Sequence, residues 1–122
     1  MKTTQYLDPE IRTICRYDLH HYQQAKAVAN GYKGQERQDA YGRRCRIIAR
    51  NAELVKKKTT DEGRSLLDLC YLSRETVSVE AAADILGICK SKAYMLLNKA
   101  IIDYAKRMGY IDKQKGGTSG GF

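Results

Sequence analysis

The sequence predicts a small all-α domain of about five helices, the last two joined by a tight corner. Three observations carry that expectation. Apolar residues recur at three- and four-residue steps along most of the 122 residues. There is a single proline, and no stretch reads as a β-hairpin; Thr76-Val77-Ser78-Val79 is too short to build a sheet. Small polar residues and glycines stand where helices start and stop. The length suits one domain with a modest core.

The first helix is expected to begin at Pro9. Asp8 can cap it, proline fits the first helical position, and Glu10 suits the positive helix start. Ile11, Ile14, Cys15, Leu19, Tyr22, Ala25 and Ala29 form its apolar face, and Asn30-Gly31 ends it. A second helix is expected from about Gln35 to Lys58, with a seam of Tyr41, Cys45, Ile48, Ala52 and Val55. Gly42 weakens it by about 1 kcal/mol against alanine if exposed. Between 35 and 58 there are eight basic and three acidic residues, an excess of five positive charges. Arg43, Arg44, Arg46, Arg50, Lys56, Lys57 and Lys58 are therefore candidate phosphate contacts.

A third helix is expected from Thr60, with Asp61 and Glu62 in its first turn and Leu66, Leu67, Leu69, Cys70 and Leu72 as its apolar content. Ser73-Arg74-Glu75-Thr76 breaks it. The fourth is short: Ser78 caps it, Glu80 sits in its first turn, and Val79, Ala82, Ala83 and Leu86 share one face. Gly87 can end it in a left-handed conformation. Ile88 tucks inward, and Cys89 stands at the cap position of a long fifth helix ending near Met108. Ala93, Leu96, Leu97, Ala100 and Tyr104 form that helix's inner face. Alanines before the glycine allow two backbones to approach closely, the pattern of a helix-turn-helix unit.

The organisation expected is an N-terminal helical region over 1–59, a helix-turn-helix region over 60–112 and a disordered, Gly/Ser-rich tail over 113–122. At 100° per residue, Ser91, Tyr94, Met95 and Asn98 point away from the inner face of the fifth helix. Lys90, Lys92 and Lys99 flank that ridge. Such a helix offers side chains to base edges in the major groove of double-stranded DNA and lysines to the phosphates beside them. Asn98 is suited to bidentate pairing with adenine. The candidate DNA-binding residues are thus Cys89, Lys90, Ser91, Lys92, Tyr94, Met95, Asn98 and Lys99.

Charge agrees with a nucleic-acid partner. Lys and Arg total 22 against 14 Asp and Glu, a net charge of +8. No apolar run approaches the ~20 residues of a membrane span, so no membrane partner is expected. Cys15, Cys45, Cys70 and Cys89 lack metal-ligand spacing and read as free thiols of a cytoplasmic protein. The first residues lack the apolar core of a signal peptide. No catalytic motif is present, and His20-His21 point about 100° apart on a helix, a poor metal site. No enzyme activity and no cofactor are expected.

The segment "LLDLCYLSRETVSVEAAADILGICKSKAYMLLNKAIIDYAKRMGY" resembles the sigma-factor region-four type of helix-turn-helix. It is similar in particular to the small late-transcription regulators of phages and prophages, the ArpU and RinA type. That resemblance covers about the last half of the chain. It implies an all-α fold, sequence-specific DNA binding and control of phage late genes. The chain departs from those families at Cys89, where serine or threonine is usual, and around Met95, where arginine is. Two other roles are open to the same sequence: an interaction module in which the basic helix 35–58 docks on RNA polymerase or forms a homodimer through the 41–55 seam, although a chain this short is expected to need that seam in its core, and a DNA-packaging protein of the small-terminase kind.

Overall fold

The computed structural model describes residues 7–31 and 39–111. The start of the second expected helix (35–38), the loop at 32–34 and the tail 113–122 lie outside the described residues. The architecture is all-α, and no strand occurs among the described residues. Six α-helices follow in order: α1 (Pro9–His20), α2 (Tyr22–Asn30), α3 (Ala40–Lys58), α4 (Asp61–Leu67), α5 (Val79–Leu86) and α6 (Lys90–Met108). A π-helical turn, Asp68–Leu72, continues α4.

The helix starts follow local capping. Asp8 accepts the Glu10 N–H at 2.8 Å, and the Asp39, Thr60 and Ser78 side chains accept from Gly42, Gly63 and Ala81. One expected helix is two. At His21 the backbone turns to φ −98°, ψ 14°, and its N–H is shared between the Tyr17 and Asp18 carbonyls. The His21 ring nitrogen Nδ1 bonds the same Tyr17 carbonyl at 2.8 Å. A side chain competing for the ladder interrupts the helix there.

α6 is the spine of the fold, packed on α1, α3, α4 and α5. One apolar cluster runs from Leu7 through Cys15, Ala52, Leu66 and Ala83 to Tyr104 and Ala105. It crosses the 59/60 boundary without interruption, so α3 and α4 share a core. Cys45, Ile48, Ala52 and Val55 of the α3 seam are buried within the chain, which removes that seam as a free dimer face. Ile14 and Tyr41, expected on apolar faces, are instead partly exposed: both line a groove between α1 and α3 rather than the core. Gly42 is buried, not exposed. No described helix is long and apolar enough to cross a membrane.

The corner at Gly87 closes as expected. Gly87 has φ 72°, ψ 31°, its N–H donates to Asp84, and the Ile88 N–H donates to the Ala83 carbonyl at 3.0 Å. This is a Schellman closure, and Gly109 repeats it at the end of α6 with Tyr110 donating to Ala105. Ala82, Ala83 and Ala93 have no exposed surface. Val79, Leu86 and Ile88 pack on the cluster but stay partly exposed.

Candidate nucleic-acid interface

α6 has two unlike ends. Its C-terminal half is buried on several sides: Ala100, Ile101, Ile102, Tyr104 and Ala105 all lie in the core. Its N-terminal half faces outward. Lys90, Ser91, Lys92, Tyr94, Met95 and Lys99 are exposed, with Tyr94 and Met95 about half open at 49% and 52%. The ridge expected from the helical wheel is therefore accessible from Lys90 to Met95. Cys89 is exposed at the cap position and makes no side-chain capping bond.

Two ridge residues are held by carboxylates from other helices. The Tyr94 hydroxyl donates to Glu80 Oε2 at 2.6 Å, joining α6 to the first turn of α5. That bond holds the Glu80 carboxyl below its ordinary range and pushes the Tyr94 phenol up. Lys92 Nζ lies 2.9 Å from Glu62 Oε1 on α4. Both pairs are solvent-exposed, so each is a weak, exchangeable contact.

Asn98 is less open than the rest of the ridge. It is only partly exposed, and its Oδ1 is buried with no hydrogen-bond partner among the described residues. Bidentate pairing with adenine needs both amide atoms outward, so that role requires the side chain to rotate. The physical reason is a wide buried arc on α6. Leu97 and Ile101 are buried as well as Leu96 and Ala100, and Asn98 stands beside them at the edge of the cleft facing α1.

The cations of α3 divide. Arg44 donates to the Tyr110 hydroxyl at 2.6 Å and lies 3.5 Å from the buried Asp18; Lys56 pairs with Asp68 at 3.0 Å. These two are tied into the fold. Arg44 stands near the far end of α6, about 26 Å along the axis from Lys90 at 1.5 Å per residue. At the opposite end of α3, Lys58 shares a groove with Lys99, Thr60 and Asp103. Lys58 is thus the α3 cation that the structure brings to α6's outer half. Arg43, Arg50 and Lys57 are exposed and Arg46 is half-buried; Arg50 and Lys57 line a separate small groove.

Sequence reasoning missed a third group. Arg12, Arg16 and His20 of α1 line a cleft together with Tyr94 and Asn98. Their four-residue spacing was the available signal, since it puts all three on one helix face. Burial and the neighbouring Arg16 and His21 push the His20 imidazole below its ordinary value, and its ring packs on Tyr71 at 4.7 Å.

Against known proteins, the chain matches no family model, no curated protein and no solved structure.

Proposed function

We propose that the protein is a sequence-specific regulator of transcription that reads the major groove of double-stranded DNA with the N-terminal half of α6. The observation that carries this is the division of α6: an outward, lysine-flanked first half on a buried second half, set off by the Gly87 corner. A reading helix needs that rigid support behind it. The net charge of +8 favours association with a polyanion. Resemblance to the sigma region-four type supports a phage or prophage origin and control of late genes. In this reading Lys90, Ser91, Lys92, Tyr94 and Met95 meet the duplex, with Lys99 and Lys58 on the flanking backbone.

Selection of bound sites from random duplex DNA tests it. Enrichment of a defined motif is expected. Purely non-specific retention would favour a packaging role, and no retention would overturn the reading.

An interaction module is favoured by a different surface. Ile14, Tyr17 and Tyr41 stand partly exposed around a groove of about 460 Å³ between α1 and α3, an apolar face suited to RNA polymerase or a second copy. Sedimentation at micromolar concentration tests self-association.

A further inference from the structure

A cleft of about 520 Å³ separates α1 from the outer side of α6. Its α1 wall carries Arg12, Arg16 and His20, spaced about 6 Å apart along one helix face. Tyr71 lines the cleft beside both arginines. The start of α5, Ser78 to Glu80, also lines it, and the Ser78 side chain already takes the Ala81 N–H there. Among the described lining residues Glu80 is the one carboxylate, and the Tyr94 hydroxyl occupies one of its oxygens. Volume and lining together suit a small, specific ligand group.

We propose that this cleft is a phosphate-binding site in which Arg12 and Arg16 grip the oxygens. Two guanidinium forks on one helix face offer more N–H donors than the two oxygens of a carboxylate can use. A phosphate presents enough oxygens to engage both forks at once. The phosphate has two sources. It is either a backbone phosphate of the duplex contacted by α6, in which case the inference rests on the DNA reading, or a free phosphorylated molecule.

The test titrates the intact protein with inorganic phosphate and, separately, with a short duplex at several salt concentrations. The backbone amide resonances of the lining residues Tyr71, Thr76 and Ser78 to Glu80, which every variant keeps, are followed by NMR. Saturable shifts with Kd below ~1 mM are expected. They should be lost in the double variant Arg12→Gln/Arg16→Gln and kept in Lys26→Gln, an exposed cation on α2 beside Tyr22. Circular dichroism checks that each variant stays helical, and Arg12→Lys/Arg16→Lys should retain weakened binding. If the duplex is the source, the double variant also lowers the slope of log K against log salt by about 1.8. Phosphate shifts with an unchanged slope assign a free ligand. Phosphate shifts in a protein that binds no duplex leave the site standing and remove the DNA reading. No change in either arm overturns the proposal.

Discussion

Tyr104 donates a 3.1 Å hydrogen bond to the buried carboxylate of Asp18, joining residues 86 apart in the chain. Tyr110 donates a second bond at 2.6 Å, and Arg44 stands 3.5 Å away on the solvent side. The network ties α1, α3 and the end of α6 together. Asp18→Ala leaves the buried Tyr104 hydroxyl unsatisfied and should cost on the order of 2–3 kcal/mol. Tyr104→Phe keeps the other two partners and should cost about 1 kcal/mol. Urea unfolding measures both; equal losses would mean that Asp18 is not the centre.

The same corner makes the fold sensitive to alkali. Burial first, then the Asp18 charge, pushes the Cys15 thiol up to about 12. Burial and the bond to Asp18 push the Tyr110 phenol up to about 12, and burial also raises Tyr104 and Tyr22. Folded values lie above unfolded ones, so the unfolded chain loses protons first. Stability is complete below about pH 9 and falls as pH rises toward 12. Melting temperatures over that range, with phenolate absorbance recorded alongside, should show ionisation arriving with unfolding. Ionisation of Tyr104 or Tyr110 near pH 10 in the intact fold, read by comparison with their phenylalanine variants, would contradict this.

At the α5–α6 corner the two obvious substitutions should fail for different reasons. A Cβ on Gly87 meets no atom within 4 Å, so Gly87→Ala carries only the left-handed backbone penalty, about 1–2 kcal/mol. Ala83 has no exposed surface, so Ala83→Leu overpacks the crossing by about 1–3 kcal/mol. Gly87→Asn should recover part of the first loss and cannot help the second. Thermal melts separate the cases.

For the ridge proposed to meet DNA, removing cations and removing carboxylates should have opposite signs. Lys90→Ala and Lys92→Ala should weaken binding to all duplexes alike, each lowering the salt slope by about 0.9. Glu62→Gln and Glu80→Gln remove the negative charges beside Lys92 and Tyr94 and should tighten binding several-fold at low salt. Fluorescence anisotropy at three salt concentrations measures both sets. Weaker binding in the glutamine variants would show that the carboxylates orient the ridge.

Asn98→Leu is a test of stability and of readout at once. A buried acceptor without a partner carries a desolvation penalty of about 1–3 kcal/mol. Leucine of similar shape removes it, so the melting temperature should hold or rise. If Asn98 rotates outward on DNA, the variant should lose preference at one base while keeping general affinity. A uniform loss across sequences would instead assign it to support.

What the sequence disclosed was what is local. The Asp8-Pro9 start, the Thr60 and Ser78 caps and the Gly87 stop depend on neighbours within a few residues, and all stand where expected. The span of α6, Lys90–Met108, follows from the same cues. The His21 break and the Asp68–Leu72 π turn did not show, because local composition there is ordinary helix. Periodicity treated α6 as packed on one side. With four helices around it the buried arc widened, and Asn98 was drawn in. Arg12 and Arg16 were visible as a spacing; their neighbourhood with Tyr94 depends on how α1 lies across α6, which no local cue encodes.

Because α6 is exposed at one end and interior at the other, its contact surface cannot be cut out as a portable module. A fragment beginning at residue 60 would leave Tyr104, Ala105 and Ile101 without the α1 and α3 side chains that cover them. A chain shortened to that fragment would lose the packing that keeps the back of α6 rigid.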